Sequence, residues 1–130
     1  EVLVLDEPIA GLDPKGRREM LNLINNYHIK MGATIVLVSH NMDDVAQAAG
    51  RVIVMSGGEI KKDGPPREIF KDVERMQALS LDVPQVALLA HELNKRGLNV
   101  RSDVISPNER IEELIRHKEA IAARRKEAGK

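Results

Sequence analysis

The sequence predicts an α/β fold, a parallel sheet with flanking helices, followed by a small and mainly helical extension. Three observations predict it. Two short apolar runs, Val2–Leu5 and Thr34–Val38, lack period-two alternation; an amphipathic helical stretch joins them; and helical patterning takes over after Gly64-Pro65-Pro66. Continuous Val/Leu/Ile runs suit parallel strands covered on both faces, and strand–helix–strand at this spacing makes a parallel crossover unit.

The elements follow in order. After Val2–Leu5 comes a turn-rich stretch with Pro8, Gly11, Asp13 and Pro14. Asp13-Pro14 reads as a helix N-cap with proline at the first helical position. The helix from about Lys15 to Met31 carries Met20, Leu21, Leu23, Ile24, Tyr27 and Met31 near the 3.6 period, and Gly32 stops it. Thr34–Val38 is the second strand, followed by Ser39-His40 and a short helix from about Met42 to Ala49. Arg51–Met55 and Glu59–Asp63, joined through Ser56-Gly57-Gly58, form a hairpin. Arg67–Phe70 is a brief helical turn, and Pro84 to about Arg96 is a helix stopped by Gly97. Ser106-Pro107-Asn108-Glu109 is a capping box opening a last helix with Ile111, Leu114, Ile115 and Ile121 on one stripe, fraying beyond Ala123. A domain boundary is placed at Gly64-Pro65, giving 1–64 and 65–130.

Composition narrows the function classes. The 130 residues hold 20 Lys+Arg against 20 Asp+Glu, so no global positive charge points to nucleic acid. The basic end after Arg110 reads as a solvated helix face. No cysteine is present, which excludes disulfides and thiolate zinc sites. Apolar runs such as Val86–Ala90 fall far short of the ~20 residues that span a bilayer. The chain opens Glu1-Val2-Leu3 without Met, almost inside a strand, and is expected to be a fragment.

The chemistry concentrates in Leu3-Val4-Leu5-Asp6-Glu7-Pro8. Strand ends of this kind are where open α/β sheets bind ligands. Adjacent residues of an extended segment point differently, so Asp6 and Glu7 are free to take separate tasks. In phosphoryl transfer one carboxylate associates with Mg²⁺ and another positions the attacking water. Two acids capping a turn would be the plainer reading of an isolated Asp-Glu pair. It is not isolated: Ala10-Gly11-Leu12-Asp13-Pro14 follows, and the second strand ends in Val38-Ser39-His40. If the strands are neighbours, His40 converges with the acids on one ligand, where an imidazole N–H suits a phosphate oxygen. His28, His91 and His117 fall on helices without evident partners and are assigned no function.

At these residues the chain resembles the ATP-binding-cassette (ABC) ATPases, with the P-loop NTPase-like core present in part. Val2–Pro14 looks like their Walker B strand and D-loop, and Ile35–Val45 like their H-loop strand and following helix. The resemblance implies that Asp6 is the Mg²⁺-associated acid and contacts the cofactor site. It implies that Glu7 acts on the attacking water, that Gly11, Leu12 and Asp13 reach the nucleotide across a dimer, and that His40 meets the γ-phosphate. Gly64–Phe70 and Leu81–Leu93 are similar to the ATPase subunits of energy-coupling factor transporters. This implies an ATP- and Mg²⁺-dependent hydrolase that energises uptake of vitamins or transition-metal ions. It also implies a second ATPase subunit, identical or homologous, a transmembrane coupling subunit and a substrate-binding membrane subunit, with no nucleic-acid partner. The location implied is the cytoplasmic face of the cell membrane, and the extension is read as a dimer-contact or regulatory element or a covering subdomain.

Some features depart from that pattern. Ile9 stands where the family usually has Thr or Ser, and Gly50 where Asp is common. No phosphate-binding G-x-x-x-x-G-K-[ST] loop occurs in the sequence, nor the family's Q-loop and signature segment, so the fragment alone is expected to be inactive. Two rivals stand beside the transport reading: a related ATPase acting on nucleic acid or ribosomes, and a degenerate non-catalytic module. The first lacks the expected basic or coiled-coil insertions, and the second sits poorly with Asp6, Glu7 and His40 all present.

Overall fold

A computed structural model of the protein describes residues 1–128, with side chains through residue 123. The elements are β1 (Val2–Asp6), α1 (Pro14–Met31), β2 (Thr34–Val38), α2 (Met42–Ala48), β3 (Val52–Ser56), β4 (Glu59–Gly64), α3 (Pro66–Phe70), α4 (Val73–Ala78), α5 (Gln85–Lys95) and α6 (Pro107–Ala128). The chain divides into two compact units, Glu1–Pro66 and the part from Arg67 on.

In the first unit β1 and β2 pair in parallel with Val2 opposite Thr34 and Asp6 opposite Val38. Alternation sorts their side chains into two faces. Leu3, Leu5, Ile35 and Leu37 are half-buried on one face, and α1 lies against β2. The other face is open among the described residues: Val2 is 65% exposed and Val4 64%, with Val36 and Val38 also exposed. The expectation of strands covered on both faces is therefore corrected. Their apolar composition is that of a buried sheet, but the described helices cover only one side.

Local signals explain the helix ends. Asp13 Oδ1 accepts from Gly16 N at 2.7 Å, and Pro14 occupies the first turn. At the other end Gly32 adopts φ 59°, the left-handed stop that glycine takes without a Cβ penalty. His28, expected to lack a partner, places Nδ1 2.7 Å from the Ala33 carbonyl and so helps close this end. In the hairpin β3 and β4 pair antiparallel through Gly57 and Gly58, both at positive φ, as tight hairpin turns require.

The second unit is a helical cluster around Phe70, Val73, Met76, Val83, Val86, Ala87, Ala90, Val100 and Val104, all buried. Helix α4 was not anticipated from sequence. It is short, but Asp72 caps it by accepting from Arg75 N, and Val73 and Met76 bury one face. His91 also gains a neighbour there, with Nε2 3.8 Å from Glu74. The capping box expected at α6 is not formed: Glu109 turns away to receive Arg67 Nη1 at 2.8 Å and Nη2 at 2.5 Å. A two-point guanidinium–carboxylate pair outcompetes a single backbone N–H. Helix α6 continues past the expected fraying point to Ala128.

The Arg67 guanidinium holds the Glu109 carboxyl below its usual value, against the opposing effect of desolvation. A depressed folded-state value means that stability is fully present above the unfolded carboxyl value and is lost as pH falls through the lowered one. Thermal stability of this unit should thus decline on acidification through and below the ordinary carboxylate range. Glu109→Gln should show a flatter acid limb in a melting series against pH; equal acid slopes would remove the pair from the account.

Candidate functional site

The β1–β2 ladder sets the site. It extends one residue past β1, with Glu7 N donating to the Val38 carbonyl at 2.9 Å. Glu7 itself sits at φ 48°, in the left-handed region that non-glycine residues seldom adopt. This turns the chain out of the strand direction, and Ala10 N then donates to the Glu7 carbonyl at 3.2 Å. Ile9, the residue that departs from the usual Thr or Ser, is 3% exposed and anchors the loop by burial instead of by a hydroxyl. Gly11 takes φ 75° with nothing near the place of a Cβ, so its backbone conformation is the physical reason for glycine.

On the neighbouring strand, Ser39 Oγ accepts from Asn41 N at 3.1 Å, and Asn41 Oδ1 caps α2 by accepting from Asp44 N at 3.1 Å. These turns fix the backbone of His40, whose N donates to Glu7 Oε1 at 3.0 Å. His40 Nδ1 lies 2.8 Å from the same oxygen. An ionised carboxylate only accepts, so Nδ1 carries the proton and Nε2 is left for a ligand. A neutral imidazole in this tautomer offers a lone pair at Nε2; donation from Nε2 requires the imidazolium form. The His40 side chain is 82% exposed and that of Glu7 34%, so the pair opens to solvent.

The structure thus brings Glu7 and His40 into contact, while Asp6 lies in line with Val2 and Val4 on the exposed face of β1 and bonds to neither among the described residues. Asp6 is exposed, and its carboxylate has no hydrogen bond or ion pair among the described residues. A free hard oxygen donor fits Mg²⁺, which is held by one or two carboxylates together with waters and phosphates. No group of three or more metal-binding side chains occurs among the described residues. Asp13 is engaged in capping α1. Gly16 makes that possible, because a Cβ there would stand 2.8 Å from Asp13 Oδ1.

Two residues near the site were not singled out by sequence. Asp44 is buried, and its Oδ2 lies 3.5 Å from Arg17 Nη1. Asp44 sits three residues after a helix cap, where an acid is ordinary, so nothing in the sequence marks it as buried.

A parallel strand–helix–strand unit with an acid pair at one strand end and a histidine at the next is the arrangement of an ABC ATPase. The structure of CbiO1 from Clostridium perfringens, described as part of the ABC transporter complex CbiONQ, superimposes with a TM-score of 0.52 and 33% identity. The match covers 72% of this chain and 36% of CbiO1. The chain is 47% identical over 90% of its length to the energy-coupling factor transporter ATP-binding protein EcfA2 of Caldanaerobacter subterraneus. It is 48% identical over 88% to EcfA2 of Clostridium perfringens, and 46% over 89% to EcfA1 of Caldanaerobacter subterraneus. Over about nine-tenths of its length the chain is thus similar to the ATP-binding proteins of energy-coupling factor transporters. It spans 41% of the length of the first of these relatives and 40% of the second. No protein-family model matches the chain.

Since the Asp13 cap holds the loop that carries Glu7 to α1, Asp13→Ala should cost about 1 kcal/mol of stability. Asp13→Asn, which keeps an acceptor, should cost less. Chemical denaturation of the three proteins checks this ordering; equal stability of Asp13→Ala and the parent would show the cap to be idle.

Proposed function

We propose that this chain supplies the water-directing and phosphate-facing residues of an ATP-hydrolysing subunit of an energy-coupling factor importer. The observation that carries the reading is the direct contact of Glu7 and His40 at adjacent ends of parallel strands. The exposed Val2, Val4, Val36 and Val38 face supports it further. Relatives more than twice as long have chain available to cover such a face, and that chain would bring the phosphate-binding loop this sequence lacks.

In this reading Glu7 orients a water through the carboxylate that now receives His40, and accepts its proton as the water attacks. His40, freed at Nε2, faces the terminal phosphate and stabilises its charge when doubly protonated. Asp6 would hold Mg²⁺, which supplies charge neutralisation of the phosphate oxygens when bound. Gly11 and Asp13 lie on the loop that would approach the nucleotide from a second ATPase subunit. The two carboxylates differ in their surroundings, Glu7 bonded to His40 and Asp6 without a partner among the described residues, so that one is left for a metal and one for a proton.

Relatives named as transporter ATP-binding proteins, and a structural neighbour described as part of an ABC transporter complex, support partnership with other transporter subunits. The chain would act with a second ATP-binding subunit, a transmembrane coupling subunit and a substrate-binding membrane subunit, at the cytoplasmic face of the membrane. Vitamins or transition-metal ions would be the cargo. No described helix is long and apolar enough to cross a membrane.

Two measurements test this. In the intact ATPase, Glu7→Gln should keep ATP binding while turnover falls by roughly 10²-fold or more, the scale for losing a positioned general base. Parental turnover would remove Glu7 from the chemistry, and loss of ATP binding would make it a structural or metal-site residue. Residues 1–130 alone should show no micromolar binding of Mg-ATP in calorimetry, because the backbone N–H cradle and its lysine are missing from the sequence. Micromolar binding would show that this chain holds phosphate by other means.

A further inference from the structure

We infer that Arg17 and Asp44 act as a positioning pair for Glu7 and His40, tying the first turn of α1 to the first turn of α2. The inference rests on the hydrolytic reading above.

Asp44 is 5% exposed, and its Oδ2 has no hydrogen-bond partner among the described residues. A charge in that position needs compensation. The amino end of α2 gives some, since the residue lies in the first turn, where negative charge is favoured. That effect is local to α2 and does not explain a guanidinium directed at it from another helix. Arg17 Nη1 stands 3.5 Å from Oδ2, and the Arg17 side chain is 38% exposed. The pair is thus a charge contact between two elements, with its acid desolvated and its base still reaching solvent.

Its place in the chain gives it leverage. Arg17 N donates to the Asp13 carbonyl at 2.9 Å, at the end of the loop that begins with Glu7. Asp44 is held through its own N–H to Asn41, next to His40. Asp44 lies about one helical turn from His40, and Arg17 about one turn from Asp13, where the loop that begins with Glu7 ends. Glu7, Ile9, Arg17, His40 and Asp44 all line one small cleft of about 20 Å³. His40 is exposed, and its N and Nδ1 both meet Glu7 Oε1, so the spacing of the two loops sets where both side chains sit. Fixing α1 against α2 fixes that spacing. Arg17 and Asp44 touch no reacting atom in this reading; they act through the loops.

A purely structural ion pair and a positioning pair differ in a measurable way. Asp44→Asn keeps the size and removes the buried charge, and Arg17→Met with Asp44→Asn removes both charges together. Both variants avoid an uncompensated buried carboxylate and should keep melting temperatures near that of the parent. In the intact ATPase, kcat should fall roughly 10-fold in both, with KM for ATP within about twofold, as expected when reacting groups shift by a fraction of an ångström. Arg17→Lys, which keeps the charge, should retain most of kcat. In the nucleotide-free protein, the ring resonances of His40, assigned by His40→Gln in ¹³C-histidine spectra, should move in Asp44→Asn. Parental kcat in both variants, or a rise in KM alone, overturns the inference. So does a lowered kcat that tracks a lowered melting temperature while the His40 resonances stay in place. Glu7→Gln is measured alongside: if it retains turnover, the hydrolytic reading has failed; if it collapses while the Asp44 and Arg17 variants do not, only the positioning role has.

Discussion

The backbone ladder between β1 and β2 is the constraint on which the site depends. Parallel pairing puts the carboxyl ends of two strands side by side, and helix α1 is the connection that parallel geometry demands. Carrying the ladder one step further, from Glu7 N to the Val38 carbonyl, fixes the backbone at the point where the strand ends. Glu7 and His40 then meet although 33 residues separate them in the chain. A one-residue slip would exchange the two faces of β1 and shift its end relative to His40. The register therefore decides which acid faces the histidine.

Around this ladder the loops spend conformational freedom to hold chemistry in place. Glu7 occupies a backbone region that costs of order 1 kcal/mol or more for an L side chain, and such strain persists only where neighbours hold it. Here the neighbours are a ladder bond, the turn bond from Ala10 and the two bonds from His40 to one carboxylate oxygen. Ile9 beneath the loop and the Asp13 cap beyond it complete the support. The absent side chain at Gly16 belongs to the same construction, since it leaves room for the cap oxygen.

The second unit solves a different problem. With one phenylalanine and small aliphatic residues, its core is modest, and charge pairs tie its segments together. Arg110 is 1% exposed, pairs with Glu113 and donates from Nη2 to the Arg101 carbonyl at 2.6 Å. Asn94 clamps Val100 at both its N–H and its carbonyl, so an amide side chain stands in for a strand partner. Both terminal nitrogens of the buried guanidinium are thus occupied, which offsets much of its desolvation cost, while Nε has no hydrogen-bond partner among the described residues.

Much of this was legible in the sequence, because local rules carry it. The apolar runs, the Asp13-Pro14 start, the Gly32 and Gly97 stops and the Gly57-Gly58 turn depend on backbone sterics and on bonds between near neighbours. Asp6, Glu7 and His40 were visible as polar residue types at strand ends. What the sequence could not determine is where competing partners are chosen. Glu109 had a capping role available within its own helix and took Arg67, 42 residues away, instead. Asp44, which the sequence did not single out, is a buried acid facing Arg17. Two valine-rich runs that read as fully covered strands have one bare face among the described residues. In each case the deciding energy is a long-range contact or the desolvation of a particular side, and only the packed chain determines which groups come near enough to count.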